Sequence, residues 1–406
     1  MATIKPFKAL RPHREYAAQV ASKPYDVLTS EEARKDVSNN LLSFLHVTKS
    51  EIDLPAETDV HGEEVYTKAK VNLQNLIDKK ILFQEEKPCY YIYQLSWKGK
   101  TQTGLVCLSS IDDYRNDIIK KHEYTRPEKE KDRIDHIRAT RAQTGNVFLA
   151  CRENKDLSDV LHLWKEQNFA EYSFTADDGV THTVWVVNAL ATIDIITNIF
   201  LESVPETYIA DGHHRAASAA KVSEEFRDNE EAQFFLTTIF TADQLSILDY
   251  NRVVKDLAGL DDNEFMARLS EDFEVQKSDE PFKPASPRQF GMFLNGGWYK
   301  LTAKDNTYGE GPVDSLDVTI LSNNVLQKIL NIQDQRTDSR IDFVGGIRGL
   351  GELEQKVSSG DWKVAFTLHP VGIQQLFEIA DSGQVMPPKS TWFEPKLRDG
   401  LLTHCF

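Results

Sequence analysis

The stretch that most constrains the fold is YIADGHHR at positions 208–215, which runs on into an alanine-rich segment. Its first three residues are apolar and predict the end of a buried strand, whereas the alanines that follow have the highest intrinsic helix propensity. Gly212 allows a sharp turn between the two, and Asp211 stands where a helix N-cap is expected. The sequence therefore predicts a strand, a tight turn and a helix at this point.

The side chains of this turn suit a negatively charged ligand. His213, His214 and Arg215 follow the turn directly, so they would lie on the first turn of the helix. Unpaired N–H groups and the helix dipole already attract anions at such a position. Asp211 beside them would hold a metal ion or accept a proton. The alternative is an aspartate cap with two histidines satisfied by nearby carboxylates, but two imidazoles and a guanidinium at one cap favour a phosphate site.

Composition bounds the class of protein. The chain has 406 residues, of which 40% are hydrophobic, enough for two or three packed subdomains. Its formal net charge of -16 repels the phosphate backbone of DNA and argues against a nucleic-acid partner. A small-molecule partner is therefore expected, and a homo-oligomer is compatible with the sequence.

Cysteine usage and hydropathy indicate where the chain resides. The four cysteines are far apart and form no CxxC pair, which predicts a reduced, cytoplasmic protein without structural zinc. The first residues lack the apolar core of a signal peptide. No uninterrupted apolar run is long enough to cross a bilayer, so no membrane association is expected.

Strands and helices alternate along the chain. A strand at Thr181–Val187, an apolar helix at 189–200 and a buried strand at 234–240 are typical of this pattern. The alternation predicts an α/β fold of α+β character with a mixed sheet. A change of pattern between 251 and 287 divides the chain into a core, 1–255, and a C-terminal α/β subdomain, 256–406, expected to complete the site.

Two loops ahead of helices carry further candidate residues. His122, Glu123 and Thr125 interrupt the chain between a predicted helix end at 118–121 and a new helix that begins at Pro127. Arg133 lies on that charged helix. The other charged side chains of the helix are expected to face solvent. Asp26 precedes a helix that starts near Ser30 without a strict capping box. Functional side chains concentrate on such loops, although turn formation alone also explains an acidic loop residue.

The C-terminal segment MPPKSTWFEPK at 386–396 is stiffened by prolines. Lys389, Ser390, Thr391 and Lys396 offer two ammonium groups and two hydroxyls that can clamp a phosphate or carboxylate. The prolines reduce the entropy lost on ordering the loop. A plain surface turn is the alternative interpretation.

Together, the box at 211–215, the loop at 122–125 with its helix, and the tail at 386–396 resemble one bacterial family in this order. The chain is identified as a member of the "domain of unknown function ten-fifteen" family, labelled SpoOJ-like or ParB-like, over nearly its whole length. The Asp-Gly-His-His-Arg box also resembles that of ParB/sulfiredoxin-fold kinases that phosphorylate free L-serine with ADP or ATP. The resemblance implies a ParB/sulfiredoxin-like core around the box, with an additional α/β subdomain.

The activity implied is that of a small-molecule kinase acting on free L-serine, with Mg²⁺ and ATP or ADP as cofactors. The residues expected to carry catalysis are Asp211, His213, His214, Arg215 and Glu123, with Asp211 also the expected metal ligand. Those expected to bind substrate are His122, Thr125, Arg133, Asp26, Lys389, Ser390, Thr391 and Lys396. The sequence does not single out the catalytic base.

Two other functions stay open at this stage. The first is a ParB/SpoOJ-like nucleotide-binding regulator or DNA-segregation partner without turnover. The acidic charge and the lack of a recognisable helix-turn-helix argue against it. The second is a metabolite-binding protein that uses the same pocket without chemistry.

Overall fold

A computed structural model describes all 406 residues, which form two compact units. The first unit comprises Met1–Lys121, Thr125–Leu245 and Pro395–Phe406; the second comprises His122–Tyr124 and Ser246–Glu394. The sequence placed its division after residue 255, whereas the main division by contacts follows Leu245. The last segment of the chain also packs with the first unit, because Asp399 and Thr403 bridge to Ser22 and Leu10 and the strand at His404–Cys405 pairs with Ala142–Gln143.

The strands of the first unit build a mixed sheet. They are β1 (Ile4–Lys5), β2 (Leu10–Pro12), β3 (Leu82–Gln84), β4 (Tyr90–Trp97), β5 (Lys100–Ser110), β6 (Ile119–Lys120), β7 (Ala142–Gln143), β8 (Val147–Cys151), β9 (Tyr172–Thr175), β10 (Thr181–Val187), β11 (Thr207–Asp211), β12 (Phe234–Thr241) and β21 (His404–Cys405). Nine of them form one sheet, in the order β6-β11-β8-β12-β5-β4-β10-β9 with β1 beside β5. The pairs β6/β11 and β8/β12 are parallel and the others antiparallel, which confirms the predicted mixed sheet.

Nine helices surround the strands of the first unit. They are α1 (Ala17–Val20), α2 (Ser30–Asp36), α3 (Leu45–Thr48), α4 (Glu63–Asp78), α5 (Ile111–Arg115), α6 (Pro127–Thr140), α7 (Lys155–Gln167), α8 (Leu190–Ser203) and α9 (His213–Ser223). The side chains of Ile193, Ile196 and Phe200 on α8 are buried in a core shared with the sheet. Burying side chains of this size stabilises the unit by about 1.5–3 kcal/mol each. Helix α6 begins at Pro127, as predicted.

Three local predictions were wrong. Asp211 is the last residue of β11 and not the N-cap, which is Gly212, because pairing with β8 extends the strand by one residue. The segment predicted to end a helix at 118–121 contains strand β6, because α5 has already ended and the chain pairs with β11. Helix α2 does have a capping box, formed one residue earlier than considered, by Thr29 and Glu32.

The second unit is built on an antiparallel sheet. Its strands are β13 (Ile247–Leu248), β14 (Tyr250–Val254), β15 (Phe273–Ser278), β16 (Gln289–Leu294), β17 (Gly297–Ala303), β18 (Ile341–Gly345), β19 (Val364–Leu368) and β20 (Trp392–Phe393). Six of them form a sheet in the order β15-β17-β16-β19-β14-β18, and β13 pairs with β20. Its helices are α10 (Asp262–Asp272), α11 (Asp317–Leu321), α12 (Leu350–Ser358) and α13 (Ile373–Asp381).

The hairpin between β16 and β17 shows how directly one turn sequence sets local structure. Asn295 and Gly296 both have positive φ, 49° and 75°, which the two central positions of a type I′ turn require. An Asn-Gly pair is the sequence that most favours this turn. Among all helices of the chain, none combines the length and apolarity needed to span a membrane.

Candidate functional site

The turn between β11 and α9 is shaped by a bulge and a glycine. Ile209 pairs with Leu149 but Asp211 pairs with Phe148, so the register shifts within β11. A bulge of this kind redirects the side chain that follows it. Gly212 then adopts a φ of 99°, and a Cβ at this position would lie 3.1 Å from the Nε of Arg215. Only glycine therefore lets Arg215 fold back beside the turn.

Arg215 is the buried cation of the site. Its side chain is 10% exposed, and one Nη donates to the carbonyl oxygen of Asn146 while the other lies 3.6 Å from Asp211. Its Nε is buried without a hydrogen-bond acceptor. Burial lowers the pKa of this guanidinium, but Asp26 and the other carboxylates around it outweigh burial and raise the pKa above its ordinary value. Arg215 therefore stays charged at any physiological pH.

Asp211 links the turn to the end of the chain. Lys396 Nζ donates to Asp211 Oδ2 at 3.2 Å, so this carboxylate has an ammonium on one side and the Arg215 guanidinium on the other. The side chains of Asp211 and Lys396 are 31% and 20% exposed. Two of the predicted binding groups, 185 positions apart in sequence, are thus in direct contact.

A small cavity lies behind this cluster. It has a volume of about 30 Å³ and is lined by Arg215, Asp399, Gly145, Tyr25 and Arg133, among others. Buried polar groups of Arg215, Asp399 and Arg133 thus line one cavity that has room for water.

Asp399 is the buried acid of the cavity. Burial raises the pKa of this carboxyl to about 7, although the nearby Arg215 guanidinium opposes the shift. A Cβ on Gly145 would lie 3.2 Å from Asp399 Oδ1 and 3.4 Å from Arg215 Cδ, so the glycine leaves room for both side chains. Asp399 and Gly145 were missed by sequence reasoning, because nothing distinguishes Asp399-Gly400 or Gly145-Asn146 from ordinary turns.

Arg133 fixes the loop that carries Asp26. Its guanidinium carbon lies 3.8 Å from the ring centroid of Tyr25, and its Nε donates to Asp132 at 2.9 Å. Asp132 also accepts from the hydroxyl of Tyr66 at 3.1 Å. Because Arg133 is 8% exposed and doubly engaged, it holds Tyr25 in place. Asp26, the next residue, is exposed and is the carboxylate that raises the Arg215 pKa most.

His214 and Thr125 join α6 to α9. The backbone N–H of Arg126 donates to His214 Nε2 at 2.9 Å, which requires that nitrogen to be unprotonated. The Thr125 hydroxyl donates to Glu130, and Lys221 pairs with the same carboxylate. His213 is 5% exposed. In the first unit, the structure therefore brings Asp26, Asp211, Arg215 and Lys396 together, and places His214 and Thr125 in contacts between helices.

The remaining predicted residues belong to the second unit. The backbone N–H of Met386 donates to the carbonyl oxygen of His122 at 2.9 Å, so the short segment with Glu123 lies beside the start of the 386–391 loop. That loop carries Lys389, Ser390 and Thr391. The Ser390 hydroxyl donates to the carbonyl oxygen of Pro387 at 2.6 Å.

The family of the chain follows from comparison with known proteins. A family model described as a protein of unknown function (DUF1015) matches residues 4–319. The chain belongs to this family. No curated protein matches it.

Several solved structures of distant proteins are similar to the chain at a low level. A mutant free serine kinase in complex with AMP is 13% identical, with a TM-score of 0.39 and coverage of 75% of this chain and 92% of that one. A conserved hypothetical protein from Pyrococcus furiosus is 15% identical, with a TM-score of 0.36 and coverage of 74% and 94%. C-terminally truncated SbnI from Staphylococcus aureus is 11% identical, with a TM-score of 0.39 and coverage of 73% and 85%. Similarities at this level carry no functional argument.

Proposed function

We propose that the chain is a phosphotransferase that moves a phosphoryl group from ATP or ADP to the hydroxyl of a small molecule, with free L-serine the leading acceptor. The observation that supports this most directly is the contact of Asp211 with both Arg215 and Lys396 at the N-terminus of α9. Phosphoryl transfer requires cations against the phosphate oxygens and a carboxylate near the attacking hydroxyl. Both are present in one cluster of the first unit.

In the proposed reaction, the cations of the cluster bind the phosphate oxygens and its carboxylates accept the proton. Arg215 and Lys396, with the N-terminal end of α9, would neutralise the oxygens of the transferred phosphoryl group. The acceptor oxygen forms a bond to phosphorus, the bond to the leaving nucleotide phosphate breaks, and the hydroxyl proton passes to a carboxylate. Asp26 and Asp211 are the partly or fully exposed carboxylates of the cluster, so either is placed to accept that proton.

The donor set also suits Mg²⁺. This ion is commonly bound through one or two carboxylates together with substrate phosphates. Asp211 is partly exposed and Asp26 exposed, and both act on the same guanidinium, which fits that requirement. When bound, Mg²⁺ would neutralise charge on the donor phosphates. The Asp211 carboxylate is then the ligand we propose for it.

Roles for the other predicted residues rest on the sequence. We assign His213 and His214 to the donor phosphates and Glu123 to proton transfer or metal orientation. His122, Thr125, Arg133, Lys389, Ser390 and Thr391 are assigned to substrate binding. In His214, Thr125 and Arg133, the contacts described above favour positioning over direct ligation. We also assign the region around the box to a ParB/sulfiredoxin-like core.

The test is direct. The full chain is incubated with L-serine, Mg²⁺ and either ATP or ADP, and O-phosphoserine is measured. We expect product from wild type, loss of product in Asp211→Asn, and wild-type turnover in Asp272→Asn. Asp272 is the matched control, because it also pairs with a lysine, Lys328, at 2.7 Å.

The alternatives give different results. Folded wild-type protein that yields no product with either nucleotide would end the kinase proposal. Calorimetric nucleotide binding without product would instead favour a regulator or metabolite-binding protein. Salt-sensitive retardation of DNA in a gel would favour the ParB/SpoOJ-like alternative.

A further inference from the structure

Arg252 is a buried cation of the second unit that has no acidic partner. It lies on β14 and is 1% exposed. One Nη donates to the carbonyl oxygen of Tyr250, and the other donates to those of Pro388 and Lys389 at 3.2 and 3.1 Å. Its Nε is buried without an acceptor. All of its hydrogen bonds therefore go to backbone carbonyls, two of them on the 386–391 loop.

A buried guanidinium without a carboxylate partner lowers the stability of the folded state. Taking a guanidinium out of water without a carboxylate is strongly destabilising, and burial lowers the pKa of Arg252 to about 10. The carbonyl dipoles and the ring of Phe343, 5.1 Å from the guanidinium carbon, offset part of this penalty. An apolar side chain of similar volume would avoid it altogether. The hydrogen bonds from Arg252 to the loop carbonyls therefore account for an arginine at this buried position.

What it holds is a strained segment of loop. Lys389 has a φ of 58°, a left-handed conformation that a residue with a side chain adopts at a penalty of about 1–2 kcal/mol. Arg252 donates to the carbonyl oxygen of this same residue and of the one before it. The Ser390 hydroxyl closes the turn by donating to Pro387. These bonds fix the backbone where the predicted binding side chains leave it.

Both ends of the loop are anchored as well. At its start, Met386 donates to the carbonyl oxygen of His122. At its end, the Trp392 ring packs edge-to-face on Tyr250 at 5.0 Å between centroids. A Cβ on Gly345 would come within 2.8 Å of that indole, so the glycine is needed for the contact. With its ends fixed, the loop depends on Arg252 for the conformation of its middle.

We propose that Arg252 is a positioning residue that holds the backbone of 387–391 in the conformation from which Lys389 and Thr391 are presented to an oxyanion of the substrate, while the Ser390 hydroxyl closes the turn. This inference rests on the proposed phosphotransfer. Arg252 itself is too buried to touch a ligand. Its effect is exerted through the loop, because misplacing a binding group by about 1 Å can reduce turnover on the order of 100-fold.

The experiment compares two arginines that hold carbonyls in the same unit. Arg340 donates to the carbonyl oxygens of Leu330 and Asn331 at 3.0 and 3.1 Å, and it serves as the control. We expect Arg252→Met to lower kcat for O-phosphoserine formation by about 10- to 100-fold. Positions 387 and 388 are prolines and have no amide hydrogen, so the readout is the exchange of the amides of Met386, Lys389, Ser390 and Thr391. It should rise at least tenfold, while the sheet of the second unit keeps its protection. Arg340→Met should speed exchange only near 330–331 and leave turnover unchanged.

Arg252→Lys covers the case in which the methionine variant does not fold. Its single ammonium keeps the charge but reaches fewer carbonyls, so intermediate loop exchange and intermediate kcat are expected. Unchanged exchange at 386–391 in either folded variant would overturn the proposal, as would faster exchange with wild-type kcat. If wild type makes no O-phosphoserine, the phosphotransfer proposal fails. Exchange alone then decides whether Arg252 orders the loop.

Discussion

The two buried arginines, Arg215 in the first unit and Arg252 in the second, differ in their surroundings and in the direction of their pKa shifts. Carboxylates surround Arg215 and raise its pKa, whereas Arg252 has only carbonyl partners and burial lowers its pKa to about 10. Two of the acids around Arg215, Asp26 and Asp211, are exposed or partly exposed, so an anion from solvent can compete with them for the same cation. Nothing in solvent reaches Arg252. Arg215 is thus suited to binding an anionic ligand, and Arg252 to supporting the backbone of the 386–391 loop.

The largest effect should follow from removing the first of these cations. We expect Arg215→Met to reduce kcat/KM for O-phosphoserine formation by about 1,000-fold, equivalent to about 4 kcal/mol of transition-state stabilisation. Arg215→Lys should recover part of the loss, since it restores charge without the planar fork. Circular dichroism checks that both variants fold. Turnover by Arg215→Met close to wild type would remove the functional distinction between the two arginines.

Removal of Arg252 should destabilise the protein more than removal of Arg215. Arg252→Met leaves three carbonyls without their donor, one of them buried and two partly buried, and we expect it to lower the free energy of unfolding by about 3 kcal/mol. Below pH 7, Arg215→Met should lower it by only about 1 kcal/mol, because burial already raises the pKa of Asp399 to about 7 and this carboxyl then leaves no unpaired charge. Urea denaturation of both variants measures the difference. A larger loss in Arg215→Met would contradict the assignment of Arg252 to backbone support.

The pH dependence of stability compares the two units through one buried acid in each. Asp399 in the first unit and Asp317 in the second both have pKa values raised by burial to about 7. Each binds its proton in the folded state at pH values where the unfolded chain, with a carboxyl pKa near 4, has lost it. The folded state then holds more protons, so stability falls as pH rises between about 4 and 7.

Substituting Asp399 and Asp317 one at a time separates their contributions to the pH dependence of stability. Each acid should contribute a slope of up to about 1.4 kcal/mol per pH unit, or about 2 kcal/mol between pH 5.5 and 7. Asp399→Asn and Asp317→Asn should each remove one contribution. Urea titrations at both pH values measure it. An unchanged slope in Asp399→Asn would mean that this carboxyl is ionised in the folded protein, with Arg215 its effective counter-ion.

How much was predictable from sequence depends on the range of the contacts. The β11–α9 turn was predicted because an apolar strand, a glycine and an alanine run act locally. The exact end of the strand was not, because Asp211 joins β11 only through pairing with β8. The Lys396 partner of Asp211 lies 185 positions away, and the carbonyls held by Arg252 lie 136 and 137 positions away. No periodicity within a single element encodes such contacts.

Lys396 gives the mildest test of the comparison, because it is the more exposed of the two cations that contact Asp211. Lys396→Ala should lower kcat/KM by about tenfold, since a partly solvated charge contributes about 1–1.5 kcal/mol to binding a phosphoryl group. Lys328→Ala, which removes a lysine paired with Asp272 in the second unit, should have no effect on turnover. Rising salt should weaken nucleotide binding by wild type more than by Lys396→Ala, because the variant lacks a screened charge. If Lys396→Ala instead binds nucleotide more tightly, the lysine competes for Asp211 with the metal or the substrate. Arg215 would then be the cation on which phosphate binding depends.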